Sequence, residues 1–199
     1  LNMRGYDNPY SPIPNCQVFL DKKKNIILFA EIKDNLKNKI KRYFPKIKFY
    51  SKKDFSNVVK KLNGKNFFID KKTCSIFDEN QIKDKFSIFK GSDPCYLLKS
   101  KKNYTEIKNT QKIHIEDGLA LTRFIYYIKK HPKKFNEISL EKLLEKFRKK
   151  SKKYLYPSFG TISASGPNSS IIHYKATKSS CRSVKENDIY LSDSGGQYK

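Results

Sequence analysis

Two different patterns of secondary structure meet near residue 108, and this change constrains the fold more than any other feature of the sequence. Up to that point, short apolar runs of strand length alternate with segments whose apolar residues recur at helical spacing. Such alternation is typical of an α/β sheet domain. Residues 104–130, in contrast, contain no Pro and only Gly118, and their apolar positions predict one long helix. We therefore expect two domains, residues 1–108 and 109–199.

Strands and helices can be assigned within the first of these domains. Apolar runs at 16–20 and 26–30, joined by a polar link, predict a β-hairpin. Helical spacing covers 31–44, which Pro45 ends, and also the stretch that follows Asp54, a candidate N-cap. Further strands are predicted at 47–50, 66–70 and 86–89.

The second domain is expected to begin with two helices and to continue in short strands. After the helix at 104–130, which Pro132 ends, Ser139 is expected to start a second helix. A strict capping box would need Glu or Gln three residues later, where the sequence has Lys142. Pro and Gly residues then mark a change to β-like segments, at 161–165, 171–174 and 188–191.

The chain is strongly basic, with a net charge of +24 from 43 Lys and Arg and 19 Asp and Glu. Such a charge suggests a polyanionic partner. However, only five of the basic residues are Arg, the side chain that reads phosphates and bases through a bidentate fork. The lysines are spread along the whole chain, and we interpret them as solvated surface charges. We therefore expect only non-specific, salt-sensitive binding to nucleic acid.

The four cysteines and the hydropathy pattern bear on location. Cys16, Cys74, Cys95 and Cys181 form no CxxC pair, which excludes a zinc ribbon or a thioredoxin-type site. Free thiols are typical of a reducing compartment. No apolar run approaches the roughly 18 residues of a membrane span, and the first residues lack the apolar core of a signal peptide. These observations predict a cytoplasmic protein without a membrane partner.

Three features could carry chemistry, and each has a structural alternative. Asp193 ends an apolar strand before Ser-Gly-Gly, which is typical of a metal or phosphate site but also of an ordinary turn. His173 follows two β-branched residues on a predicted strand, where a catalytic or a structural role is open. The small residues at 163–170 let backbone approach a ligand, or form a hairpin turn. His114 and His131 form no i, i+4 pair, so histidines alone predict no metal site.

Several segments closely resemble Xaa-Pro aminopeptidases (aminopeptidase P). They are SFGTIS at 158–163, SGPN at 165–168, IIHY at 171–174 and IYLSDSGGQY at 189–198. Upstream, LNMRG at 1–5 with Asn8-Pro9, and the helical HIEDGLA at 114–120, agree in order and spacing. Each motif alone is weak, but together they are specific and cover nearly the whole chain.

The resemblance implies a multi-domain enzyme of the α/β (α+β) class. Its members have two creatinase-type N-terminal domains and a C-terminal pita-bread metallopeptidase domain. Residues 1–108 would be the later part of the second N-terminal domain, a mixed sheet with helices that is incomplete at its start. Residues 109–199 would be the truncated first part of the pita-bread domain.

The resemblance also implies a site and its chemistry. Family members hold two divalent metals, usually manganese, with two Asp, one His and two Glu, and Asp193 matches the first of these ligands. A metal-bound water supplies the hydroxide that attacks the bond before proline. His173 matches a catalytic histidine that assists proton movement or steadies the tetrahedral intermediate, and Phe159 matches an aromatic residue of the substrate pocket. Because the other ligands would lie downstream, we expect this piece to bind no metal and to be inactive alone.

The expected function is removal of the N-terminal residue from peptides that have proline second, by a full-length enzyme that could be a homodimer. One alternative is a prolidase-like pita-bread hydrolase, which would act on dipeptides. Another is a non-catalytic pita-bread binding protein, with RNA as the partner that the basic charge suggests.

Overall fold

The structure is a computed structural model that describes residues 3–131 and 135–199. The chain divides into two compact units. One contains residues 14–102. The other joins the described part of residues 1–13 to the described part of residues 103–199. Every sheet among the described residues lies within one unit.

The unit of residues 14–102 alternates strands and helices, as the sequence pattern predicts. Its strands are β1 (Gln17–Leu20), β2 (Ile26–Phe29), β3 (Lys48–Tyr50), β4 (Asn66–Asp70) and β5 (Ser87–Gly91). Its helices are α1 (Asp34–Tyr43), α2 (Phe55–Lys61), α3 (Ile76–Lys83) and α4 (Pro94–Ser100). The predicted hairpin is present, since β1 pairs antiparallel with β2. Strand β3 pairs parallel with β2, and β5 pairs parallel with β4.

The core of this unit is apolar and largely aromatic. Its buried residues are Phe29, Phe55, Val58, Val59, Ile69, Ile82 and Phe86. The ring of Phe19 lies at the centre of three edge-on contacts, with centroids 5.1 Å from Phe29, 5.3 Å from Phe55 and 5.1 Å from Phe67. Such rings bury large areas and gain further from edge-to-face geometry. Apolar packing therefore holds the two sheets and helix α2 together.

The other unit opens with two helices, α5 (Tyr104–Lys130) and α6 (Glu137–Arg148). Helix α5 has the bounds that the sequence predicts, and a capping box between Asn103 and Glu106 fixes its start. The Pro132 expected to end it lies outside the described residues. Helix α6 begins two residues before the predicted Ser139. Asn136 is the N-cap, and Ser139 completes a capping box with it.

Four short strands complete this unit. They are β6 (Tyr154–Pro157), β7 (Ile162–Ser165), β8 (Tyr190–Asp193) and β9 (Gly196–Tyr198). Strand β7 pairs antiparallel with β8, and β6 pairs antiparallel with β9. Phe124 of α5 is buried with Leu140 and Leu144 of α6. Among the described residues, no helix is both long enough and apolar enough to cross a membrane.

Candidate functional site

Asp193, the predicted metal ligand, is the last residue of β8 and pairs with Ile162 of β7. Its side chain is exposed. The chain then passes close to the loop before β7. The backbone N–H of Ser158 donates to the carbonyl oxygen of Gly195 at 3.1 Å. A Cβ at position 195 would collide with Ser158 Oγ and would lie 3.2 Å from Phe159 Cε1, so a side chain here would displace the Ser158 hydroxyl.

Phe159, the predicted pocket residue, therefore lies beside the turn that follows Asp193. The residue keeps 37% of its surface exposed. An aromatic face that is part packed and part free can receive an apolar ring such as that of proline. The structure thus brings two of the three predicted site residues, Asp193 and Phe159, to one end of the β7–β8 pair.

His173 lies in a turn, and the prediction of a strand at 171–174 is wrong. The N–H of Ile171 donates to the carbonyl of Asn168 at 3.1 Å, and the N–H of Tyr174 donates to the carbonyl of Ile171 at 3.2 Å. These local bonds use the groups that a strand ladder would need. His173 itself has φ 55, in the left-handed region, and is exposed. The β-branched Ile171 and Ile172 are exposed as well, so they lack the packing against neighbouring side chains that would favour a strand.

Neither His173 nor Asp193 makes a side-chain hydrogen bond to another residue in 3–131 or 135–199. The described part of the chain also contains no group of three His, Cys, Asp or Glu side chains that could hold a metal ion. A divalent cation needs several oxygen or nitrogen ligands at once. The donors present therefore do not fit a metal by themselves, and no step through a metal follows from this chain alone.

A buried carboxylate binds residues on both sides of the turn that carries His173. Glu137, at the start of α6, is fully buried. Its Oε1 accepts from the N–H of Ser165 at 2.7 Å and from Nδ2 of Asn168 at 3.0 Å. Its Oε2 accepts from the hydroxyl of Tyr174 at 2.8 Å and from the N–H of Arg182 at 3.0 Å. One side chain thus binds four residues, from Ser165 at the end of β7 to Arg182 in the segment before β8.

The pKa of Glu137 reflects this environment. Burial raises the pKa, but the hydrogen bonds from Arg182, Tyr174, Ser165 and Asn168 outweigh burial, and the pKa lies below its ordinary value. The backbone of the same residue is used too, since Ser163 Oγ donates to the Glu137 carbonyl at 2.7 Å. The carboxylate is therefore the stable form in the folded protein.

A second polar cluster joins helices α5 and α6 to strand β9. Arg148 donates to Asp117 through Nε at 2.8 Å and through Nη2 at 3.2 Å. The hydroxyl of Tyr198 also donates to Asp117. Burial raises the pKa of Asp117, yet the bonds from Arg148 and Tyr198 outweigh it and lower the pKa. Burial and the hydrogen bond to the Asp117 carboxylate both raise the pKa of the Tyr198 phenol.

Sequence reasoning did not identify either cluster. Glu137 lies before the helix that the sequence predicts from Ser139, where a charged side chain is usually solvated. Asp117 lies within one of the quoted motifs, but nothing in its spacing identifies Arg148, 31 residues away, as its partner. His114 lies within α5 and His131 caps its C-terminal end, and each has Nδ1 at 2.9 Å from the carbonyl four residues earlier.

Comparison with known proteins divides the chain between two family models. Residues 1–106 match the Creatinase/Prolidase N-terminal domain. Residues 108–199 match Metallopeptidase family M24.

Curated relatives carry both parts in longer chains. Over its whole length the chain is 30% identical to a probable Xaa-Pro aminopeptidase P of Paracoccidioides brasiliensis, of which it covers 35%. Over 108 residues, 53% of this chain and 18% of the relative, it is 43% identical to the Xaa-Pro aminopeptidase ApepP of Drosophila melanogaster. The chain spans about a third of the length of the curated relatives that match it end to end.

Solved structures confirm the predicted fold. An X-prolyl aminopeptidase of Caenorhabditis elegans, described as a cytosolic enzyme with a di-nuclear active site, has a TM-score of 0.83 at 23% identity. The match covers 98% of this chain and 33% of that one. The Xaa-Pro dipeptidase of Bacillus anthracis gives 0.68 at 19% identity, over 92% of this chain and 51% of its own. The chain has the mixed α/β fold of part of a pita-bread aminopeptidase or prolidase.

Proposed function

The chain belongs to the family that joins a creatinase/prolidase N-terminal domain to a metallopeptidase family M24 domain, and from this premise we propose that the whole protein is an Xaa-Pro aminopeptidase. It would remove the N-terminal residue from peptides with proline second. The observation that carries this proposal is the 30% identity to an Xaa-Pro aminopeptidase P along the entire chain. The description of the Caenorhabditis elegans relative supports a cytosolic location.

We assign three roles within that activity. Asp193 is one ligand of a pair of divalent ions, with manganese as the metal that we expect. Such ions supply a hydroxide nucleophile and polarise the scissile carbonyl. His173 holds or moves a proton at the reacting group, and the exposed face of Phe159 contacts the proline ring. The exposure of all three side chains supports these roles, because each can be reached by a peptide.

The described residues contribute Asp193 but no cluster of ligands around it. We propose that the other ligands belong to the part of the longer relatives that this chain does not span. Because a single carboxylate does not hold a divalent cation against water, the 199-residue chain by itself should lack peptidase activity.

We also propose that the boundary between the two domains lies near residue 108. The two family models meet there, at 106 and 108, within the first turns of helix α5. In the structure, the loop of residues 3–13 groups with the second unit instead. Tyr6 packs against Tyr156 with ring centroids 6.1 Å apart, and Gln197 donates to the Tyr10 carbonyl at 3.1 Å. That loop would therefore belong to the first domain by sequence and pack with the second.

The test is an assay of the whole protein on three peptides: a tripeptide with proline second, the same tripeptide with alanine second, and a dipeptide that ends in proline. We expect release of the first residue from the proline tripeptide alone. A chelator should abolish this release, and manganese should restore it.

Two outcomes would overturn the proposal. Cleavage of the dipeptide but not of the tripeptide would indicate a prolidase. No cleavage of any peptide, with or without manganese, would favour a non-catalytic pita-bread protein.

A further inference from the structure

Glu137 has no cationic partner, although it is one of the two charged residues among the buried positions that the structure describes. None of the Lys, Arg or His side chains in 3–131 or 135–199 lies within ion-pair distance of its carboxylate. A buried charge without a counter-ion is costly unless hydrogen bonds replace water completely. Its four donors meet that condition, so the surrounding segments must hold their positions for the carboxylate to stay charged.

The donors lie close to the residues expected to do the chemistry. Tyr174, whose hydroxyl binds Oε2, is the next residue after His173. Asn168 and Ser165, which bind Oε1, flank the turn of small residues at Gly166. Gly166 has φ 56, and a Cβ there would lie 3.2 Å from Asp188 Oδ1. The carboxylate therefore connects the His173 turn to the 165–168 loop through one rigid group.

Capping of the helix does not require this carboxylate. Asn136 and Ser139 already satisfy the first turn of α6 through their own capping box. The Glu137 side chain instead accepts hydrogen bonds from four donors that all belong to residues 165–182. The Glu137 carboxylate therefore fixes the conformation of residues 165–182 and is not needed to start the helix.

We propose that Glu137 is a positioning residue of the peptidase site. It fixes the turn that carries His173 through Tyr174, and it fixes the 165–168 loop through Ser165 and Asn168. His173 is exposed, lies at a left-handed φ and makes no side-chain hydrogen bond to another described residue, so the neighbouring anchor sets its direction. This inference rests on the proposed function of His173.

The substitution Glu137→Gln tests the role in the whole protein. The amide keeps the shape of the side chain but places an N–H group against at least one donor N–H group, which frees one anchor. Misplacing a catalytic group by about 1 Å can cost about 10²-fold in rate, so we expect kcat on the proline tripeptide to fall at least about tenfold. KM and bound manganese should change little, because Asp193 does not contact Glu137.

Glu141→Gln is the matched control. It makes the same charge change one helical turn later on α6, where the side chain has no hydrogen bond to another described residue. We expect its kcat to equal that of the unsubstituted protein. Tyr174→Phe removes the hydroxyl next to His173, and with it the contacts to Asn168 and Ser180 as well as the one to Glu137. It should lower kcat in the same direction even if Glu137→Gln proves too unstable to purify.

A double-mutant cycle separates positioning from a general loss of structure. If Glu137 acts through His173, Glu137→Gln should cause no further loss of kcat in a protein that already carries His173→Ala. Equal losses in both backgrounds would overturn the inference, as would normal kcat in both Glu137→Gln and Tyr174→Phe. An unsubstituted protein that cleaves no proline peptide would instead overturn the proposed function, and the positioning role with it.

Discussion

The two units of the chain are stabilised in different ways. The unit of residues 14–102 buries a cluster of apolar side chains, many of them aromatic. The unit that contains residues 103–199 has a smaller apolar cluster, and it holds all the buried polar side chains found among the described residues: Glu137, Arg148, Ser163 and Ser165. Apolar packing depends on area and volume, whereas hydrogen bonds also depend on direction. The second arrangement stabilises the unit and orients its loops at the same time.

The largest effect on stability is expected in the aromatic core. Phe29 is fully buried, with ring centroids 5.3 Å from Phe55 and 5.9 Å from Tyr50. Phe29→Ala should lower the free energy of unfolding of this unit by about 3–5 kcal/mol, through lost burial and the cavity that remains. Phe77→Ala is the control, because Phe77 is exposed on α3.

Hydrogen exchange of the whole protein would localise this effect. Protection should fall in peptides from residues 14–102 and stay unchanged in peptides from 136–199. A loss below about 1 kcal/mol, or a loss shared by both regions, would contradict the comparison.

Acid should destabilise the unit with the buried polar side chains before it destabilises the aromatic unit. The pKa values of Glu137 and Asp117 are lowered in the folded state, so their contribution to stability is complete above their unfolded values, about 4.3 and 3.9. It is lost as pH falls through the lower folded values. In the other unit, the pKa values of Asp21 and Asp34 are lowered too, but these side chains are exposed and bond only locally.

Protection factors measured between pH 5 and pH 3, corrected for intrinsic exchange, would show this difference. Peptides that cover residues 136–182 should lose protection before those that cover 50–90. Simultaneous loss in both regions, or earlier loss in the aromatic unit, would show that these two carboxylates do not control the acid response.

The sequence predicts those elements whose signals are local. Helix α5 is predicted to its last residue, because its apolar spacing is unbroken and Pro132 follows. Helices α3 and α4 are missed. In α3, the apolar Ile76 and Phe77 lie exposed in the first turn, and the helix depends on the Ser75 cap rather than on an amphipathic face. A single capping residue is a weak sign of a helix when the sequence that follows lacks helical periodicity.

The same distinction between local and long-range signals applies to the residues of the candidate site. Asp193 lies at the end of its strand, as predicted, because an apolar run and a following Ser-Gly-Gly are local features. The turn at His173 is not predictable from Ile171 and Ile172, since its shape depends on an anchor from Tyr174 to Glu137, 37 residues earlier. Long-range hydrogen bonds of this kind leave no periodic pattern in a sequence.

The most direct test of the account is His173→Ala in the whole protein, with kcat on a proline tripeptide and bound manganese measured for both proteins. Losing a proton-transfer or oxyanion partner typically costs about 10²–10⁴-fold in rate, so we expect a loss of that size with the metal content unchanged. Near-normal turnover with full metal would show that His173 is only an exposed turn residue. Activity restored by excess manganese would make it a metal ligand instead, and would contradict the role assigned to it.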